Sequence, residues 1–337
     1  MPLPSLCGAY DPLSALSIGA DGDERRLTES RPLRNGRRAI MCRFVLYLGE
    51  PIVLENLLTK PVNSLINQSF DAELRDSLNG DGFGVAWYIP ELGDAPAVYK
   101  AVTPAWSNRN LSNLSRLTRT PCTLAHVRAA TPGVVTNELN CHPFVAGRFA
   151  FMHNGEVAEF AAIRRNLLAL LSDEAFATIE GSTDSEHLFA LFLDAYRRRE
   201  AAAGGPLEAM AAATEETIAT LLRLLAERGV TTGARLNIAV SDGRRAVISH
   251  FASPTPHAAP TLFWHEGRRY VCEEGVVRMV DADVRSDTVI VASEPLSADP
   301  GWEPVPNSSL MLIDEAHQVT MRPVRTTGAS APLRHTA

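Results

Sequence analysis

Short apolar runs broken by glycine and proline fill the first and last thirds of the chain, whereas the middle third carries apolar residues at helical spacing. Cys42–Leu48, Val85–Ile89, Ala97–Val102 and Thr123–Val127 have the β-branched and aromatic content of strands. Phe149–Met152 is a further short strand that runs into His153-Asn154-Gly155. Residues 54–78 read as mixed helix and loop, and Asn79-Gly80-Asp81-Gly82-Phe83-Gly84 as a glycine-dense turn. Val157 to Leu171 then places Phe160, Ile163, Leu167, Leu168 and Leu171 on one helical face. A second helix starts within Ser182–Glu186, where Thr183 and Glu186 fit a capping box. A linker, Ala201–Pro206, leads to a long Ala/Leu/Glu helix that stops near Arg228-Gly229. Arg235–Ser241, Ala246–His250, Thr261–His265, Arg269–Cys272, Thr288–Ala292 and Ser309–Ile313 read as strands. Strands, then helices, then strands predict an α+β fold with largely antiparallel sheets.

Composition narrows the picture. The 337 residues suffice for one large core or two ordinary ones. No apolar run approaches the roughly 20 residues of a membrane span. A net charge of -7 gives no electrostatic footprint for nucleic acid or anionic membrane. Cys7, Cys42, Cys122, Cys141 and Cys272 are odd in number and widely spaced, which predicts a reducing cytosol rather than a disulfide framework. Residues 1–41 hold Pro2, Pro4, Pro12 and Pro32 with mixed charges and no signal-like apolar core. They read as an over-called start, a removable propeptide or a disordered leader, and 324–337 as a flexible tail. The catalytic unit is expected to span 42–323.

Candidate chemistry starts at Cys42. A cysteine that leads its chain carries its own base, since an α-amine titrates at about 7.7–8.0 and a thiol at about 8.5. Nucleophile and proton acceptor then share one residue, and no catalytic histidine is required. The plainer alternative is a buried strand cysteine. Four segments bear on the choice: Met41-Cys42-Arg43, Leu124–Thr131 with Arg128, Met152-His153-Asn154-Gly155, and Ser182–Glu186 with Asp184.

In content and order these segments resemble the class II glutamine amidotransferases of the N-terminal nucleophile hydrolase superfamily. Met-Cys-Arg-Phe, Asn-Gly-Asp-Gly-Phe-Gly, Asn140-Cys141-His142-Pro143-Phe144 and Ala292-Ser293-Glu294-Pro295-Leu296 are similar to a stand-alone branch of that family. The branch includes the Dug-type glutathione-degradation amidotransferase and the ergothioneine-pathway γ-glutamyl hydrolase. The resemblance implies a four-layer αββα sandwich and hydrolysis of a γ-glutamyl amide through a thioester on Cys42. It implies the Asn154 side chain and Gly155 N–H as oxyanion donors. Arg128 would hold the substrate α-carboxylate through its bidentate fork. Asp184 would accept from the α-ammonium, although a first-turn acid also suits the helix dipole on its own. His153 is expected at the substrate site, orienting the Asn-Gly turn, with His126 and His142 in support.

No metal or organic cofactor is implied, and Cys141, His142 and His153 fit no familiar zinc spacing. The absence of a GxSxG motif leaves a serine hydrolase without support. The substrate is expected to be a small γ-glutamyl molecule, with an ammonia-accepting or peptidase partner as an open addition. Two alternatives stand beside the hydrolase: an ammonia-donating glutaminase subunit, and a non-catalytic glutamyl-binding protein whose Cys42 is never exposed.

Overall fold

The computed structural model describes residues 41–72, 78–129, 135–201, 204–253, 259–280 and 288–326. The expected leader, apart from Met41, and the tail beyond 326 lie outside the described residues. One sheet is built from β1 (Arg43–Val53), β2 (Phe83–Tyr88), β3 (Ala97–Ala101), β4 (Arg119–Val127), β9 (Phe263–Gly267), β12 (Thr288–Ala292) and β13 (Glu303–Pro304). Its strand order is β13-β9-β12-β1-β4-β2-β3. The other contains β5 (Phe144–Ala146), β6 (Phe149–Val157), β7 (Ala234–Ser241), β8 (Ala246–Ala252), β14 (Ser309–Ile313) and β15 (Val319–Pro323) in the order β15-β14-β8-β7-β6-β5. A hairpin joins β10 (Arg269–Glu273) to β11 (Val276–Val280). Every pairing is antiparallel.

Side chains alternate across a strand, and here the alternation sorts them into three cores. On β1, Val45 and Tyr47 face a cluster with Leu57 and Leu58 of α1 (Glu55–Leu58), Leu65 of α2 (Leu65–Gln68) and Leu111 of α3 (Arg109–Leu117). Phe44, Leu46 and Leu48 face the opposite way and meet Met152 of β6, Ala239 of β7, Ile248 of β8 and Met311 of β14. On β6, Phe149 and Phe151 turn outward against α4 (Phe160–Leu168), α5 (Asp173–Phe176), α6 (Asp184–Arg199) and α7 (Pro206–Glu227). The result is helices, sheet, sheet, helices: the expected αββα sandwich.

Several local expectations change. The Asn-Gly pair makes no turn; β6 continues through it, with Asn154 opposite Asn237 and Gly155 opposite Leu236. The expected helix from Val157 therefore starts at Phe160, because Val157 still pairs with Ala234. Tertiary strand pairing outweighs local turn propensity here. The capping box is half formed: Thr183 Oγ1 accepts from Glu186 N at 3.3 Å. The Glu186 carboxylate instead accepts from Glu180 N and Gly181 N at 2.9 and 2.8 Å, tying down the approach to α6. Helix α3 escapes sequence reading because its segment, Arg-Asn-Leu-Ser-Asn-Leu-Ser-Arg-Leu, is mostly polar; Asn108 caps it by accepting from Leu111 N at 2.8 Å.

Candidate active site

Period-two alternation also locates the site. Phe44 sits opposite His126, and His126 opposite Gly84. In the facing sheet Asn154, Asn237, His250 and Ser309 form one cross-strand row. These residues share the faces that farther along carry Leu46, Leu124, Met152, Ala239, Ile248 and Met311. The layer between the sheets is therefore apolar along its middle, with the hydrogen-bonded pair Tyr88 and Ser241 at one end and this polar row at the other. Cys42 and Arg128 lie at the latter end, one step beyond the last paired rung of β1 and β4, Arg43 with Val127.

Cys42 is half-buried. Its Sγ accepts from Ala129 N at 3.4 Å and lies 3.6 Å from the Ala129 carbonyl. Burial pushes the thiol above its usual range. The Ala129 N–H, Arg128 and Arg43 oppose that rise, and the nearby Asp184 charge adds to it. Arg128 is fixed by its main chain, which donates to Gly82 O at 2.8 Å and accepts from Asp81 N at 3.0 Å. Gly82 has φ +118°, and a Cβ there would sit 2.7 Å from Cys141 Sγ, so glycine is required. The Arg128 side chain is buried, and its Nη1 has no hydrogen-bond partner among the described residues.

Asn154 lies across the layer, also buried. Its Nδ2 donates to Ser293 Oγ at 3.4 Å, and its Oδ1 has no partner among the described residues. Ser293 Oγ also accepts from Phe44 N at 3.0 Å, so this hydroxyl touches both sheets. Gly155 follows, where any Cβ would collide with the Arg235 carbonyl and come within 2.7 Å of His153 Nε2. Asp184, first residue of α6, accepts from Val157 N at 2.9 Å and from Ser185 N at 2.7 Å. That geometry welds the helix N-terminus to the end of β6.

His153 is placed otherwise than expected. It is one residue out of step with Asn154 and points to the helical side of β6. Its Nδ1 lies 2.9 Å from Ser185 Oγ and its Nε2 3.0 Å from Arg235 O. Both nitrogens are engaged, so none is left for a ligand. His126 and His142 are buried with ring centroids 4.3 Å apart, and none of their four nitrogens has a hydrogen-bond partner among the described residues. Burial, followed by the Arg128 charge, holds His126 down to about 3. Burial, with His126 next, holds His142 well below the ordinary range too. Both rings are neutral at physiological pH. Among the described residues no three His, Cys, Asp or Glu side chains form a metal cluster, and no helix is long and apolar enough to cross a membrane.

Sequence reasoning left Arg43, Ser293, Glu294 and Ser185 without a role. Their signal was present in the quoted motifs, but only the fold shows which partners they meet.

Fold and site define a class: an αββα sandwich of the N-terminal nucleophile hydrolase type with a cysteine heading a central strand. The chain belongs to the class II glutamine amidotransferases, since the family described as "Glutamine amidotransferases class-II" matches residues 56–336. It is an enzyme of that family, acting on C–N bonds. It is 41% identical over 292 residues to the probable glutamine amidotransferase DUG3 of Saccharomyces cerevisiae, which covers 81% of this chain and 82% of that protein. It is 26% identical over 282 residues to the gamma-glutamyl-hercynylcysteine sulfoxide hydrolase of Mycolicibacterium smegmatis, covering 83% of this chain and 98% of the relative. A solved glutamine aminotransferase class-II domain protein from Silicibacter pomeroyi superposes with a TM-score of 0.57 at 28% identity, over 84% of this chain and 99% of that one. The glutamine phosphoribosylpyrophosphate amidotransferase of B. subtilis, at 14% identity and a TM-score of 0.50 over 84% of this chain and 49% of its own, shares the fold.

Proposed function

We propose that the enzyme hydrolyses a γ-glutamyl amide, with Cys42 as the leading residue of the active chain. Cys42 Sγ attacks the side-chain carbonyl carbon of the substrate, and the Cys42 α-amine takes the thiol proton. The carbonyl oxygen becomes an oxyanion that accepts from Asn154 Nδ2 and Gly155 N–H; one such donor is worth roughly 3–4 kcal/mol in the transition state. As the tetrahedral intermediate collapses, the C–N bond breaks and the protonated α-amine returns its proton to the departing amine or ammonia. Water then opens the γ-glutamyl thioester by the same route and releases glutamate. Arg128 holds the α-carboxylate, Asp184 the α-ammonium. The catalytic unit is residues 42–323.

The observation that carries this reading is the unpartnered nitrogen of the buried Arg128 guanidinium, whose charge is felt by the Cys42 thiol. A buried cationic donor without an acceptor is costly, and a planar fork suits a carboxylate. The name of one relative, gamma-glutamyl-hercynylcysteine sulfoxide hydrolase, favours a small γ-glutamyl compound as substrate; a glutathione-like peptide, a cytosolic setting and a separate ammonia-accepting or peptidase partner complete the proposal. The four described cysteines are all free, in keeping with a reducing compartment.

The test is glutamate release from glutamine, glutathione and γ-glutamyl amines by protein whose intact mass begins at Cys42. Turnover of at least one substrate, lost in Cys42→Ser, is expected. Activity in protein still carrying residue 41, or surviving Cys42→Ser, overturns the mechanism.

A further inference from the structure

The proposed nucleophile and oxyanion donor stand on different sheets. Cys42 precedes β1 of the seven-stranded sheet, whereas Asn154 lies within β6 of the six-stranded one. Apolar packing holds the sheets face to face, but the hydrophobic effect is non-directional and sets no register on its own. A displacement of 1 Å between reacting groups can cost 10²-fold in rate. Something directional has to fix the two halves.

At the end of the layer away from Cys42, Tyr88 Oη donates to Ser241 O of the other sheet at 2.9 Å; at the proposed site Ser293 makes the connection, and the next residue, Glu294, holds the Cys42 side. Ser293 Oγ accepts from Asn154 Nδ2 on one sheet and from Phe44 N on the other. Glu294 Oε1 accepts from Arg43 Nε at 3.0 Å, with Arg43 Nη2 2.9 Å from the same oxygen in poorer alignment. Arg43 Nη1 then donates to both Met41 O and Cys42 O, at 3.0 and 3.1 Å. The Arg43 and Glu294 side chains are 2% and 0% exposed. A pair buried so completely adds little to stability compared with well-packed apolar residues of the same volume. Its charges instead reach the main chain of Cys42. The segment is itself pinned: Asn63 Nδ2 donates to Pro295 O at 2.6 Å, Asn63 N to Leu296 O at 3.3 Å and Gln68 Nε2 to Glu294 O at 3.4 Å.

We propose that Ser293 and Glu294 form a positioning clamp for the reaction, Ser293 fixing the Asn154 amide and Glu294, through Arg43, fixing the Cys42 backbone. The clamp rests on the reading of Cys42 as nucleophile. Neither residue touches substrate. Ser293 leaves the second Asn154 N–H for the oxyanion, and Arg43 keeps its hold on Cys42 O when residue 41 is absent.

The experiment uses purified protein beginning at Cys42 and compares Ser293→Ala, Ser293→Thr, Glu294→Gln, the double apolar variant Arg43→Met with Glu294→Leu, and Cys42→Ser. Melting temperature, kcat and KM for glutamate release are read for each. Ser293→Ala, Glu294→Gln and the double variant are expected to lose about tenfold or more in kcat, with KM within about threefold of wild type. Ser293→Thr, which keeps the hydroxyl, restores most of the rate. The double variant removes both charges and retains a folded core, so its loss of rate cannot be assigned to unfolding. Folded variants with kcat within twofold of wild type, beside an inactive Cys42→Ser, sink the clamp and leave the nucleophile standing. Turnover that survives Cys42→Ser sinks the nucleophile itself.

Discussion

Replacing Arg128 by methionine separates a binding residue from a structural one, because the two roles predict opposite changes in stability. Arg128 is 5% exposed, and Nη1 lacks a partner among the described residues. An unsatisfied buried donor costs roughly 1–3 kcal/mol, more for a charged group. Methionine keeps the length and apolar stem while removing charge and donor. The substrate-free protein is therefore expected to gain stability, with the melting temperature rising by about 2–4 °C for each kcal/mol recovered. Binding moves the other way. Two charge-assisted bonds to a carboxylate are worth roughly 1.5–3 kcal/mol each, and 1.4 kcal/mol is about a factor of ten. The loss in kcat/KM should be about 10²-fold to 10⁴-fold, carried mainly by KM. Arg128→Lys restores charge but not the fork, and should recover only part of it. Differential scanning fluorimetry and steady-state glutamate release suffice. A melting temperature several degrees lower, with KM within threefold of wild type, would refute the carboxylate role and make Arg128 a structural residue.

Gly155→Ala places a methyl group against the Arg235 carbonyl and His153 Nε2. Prising β6 from β7 should cost about 3 kcal/mol or more and abolish turnover; a melting temperature within a degree of wild type would count against it. Asp184→Asn is expected to lower kcat/KM about tenfold for substrates with an α-ammonium and to leave a substrate analogue lacking that group almost unaffected; equal losses on both would show that Asp184 serves the helix alone. The buried histidines set an acid limit on stability. Burial depresses both native pKa values, His126 to about 3. The unfolded chain binds these protons near pH 6.5. Stability is thus full above 6.5 and falls as pH drops through the window down to the native values, by about 1.4 kcal/mol per pH unit for each histidine. His142→Phe should remove one such slope and gain on wild type steadily from pH 6 to pH 4 in urea unfolding; parallel curves would refute the assignment.

Much of this architecture can be read from residue order. β1, β4 and β12 announce themselves because they are central and buried on both faces, so their apolar content is dense. Strands β5, β13 and β15 are short or edge elements with exposed residues, and nothing in their composition separates them from loop. Cys42, Arg128, Asn154, Gly155 and Asp184 were each picked out by motif, and the chain does bring the first four to one end of the inter-sheet layer. His153 departs from the expected substrate-site placement because adjacency in sequence to Asn154 is not adjacency in space. In a strand, neighbours face apart, and the expected turn that would have relaxed this rule does not exist. Arg43, Ser293 and Glu294 were legible as residues but not as a linkage, since it spans some 250 positions of chain.

The distribution of unsatisfied groups follows from the same alternation. Along the middle of the inter-sheet layer the inward positions are apolar, and at the end away from Cys42 Tyr88 Oη and Ser241 Oγ are satisfied, donating to Ser241 O and Arg245 O. At the end that holds the site the inward positions become Cys42, His126, Asn154 and Asn237, with Arg128 beside them. There Asn154 Oδ1, Asn237 Oδ1, Arg128 Nη1 and both nitrogens of His126 lie buried without partners among the described residues. Buried polar groups are normally satisfied, and a chance defect would fall anywhere in the interior. Buried atoms without a hydrogen-bond partner also occur elsewhere among the described residues, at Arg148, His265, Trp302 and Arg322, but those gathered near Cys42 include a guanidinium donor and amide acceptors of the kind a zwitterionic ligand pairs with. The apolar rows behind them supply the stability that these open valences cost. Filling the end with apolar residues should therefore stabilise the fold at every one of these positions while removing the chemistry, and the Arg128→Met comparison reads both effects in one protein.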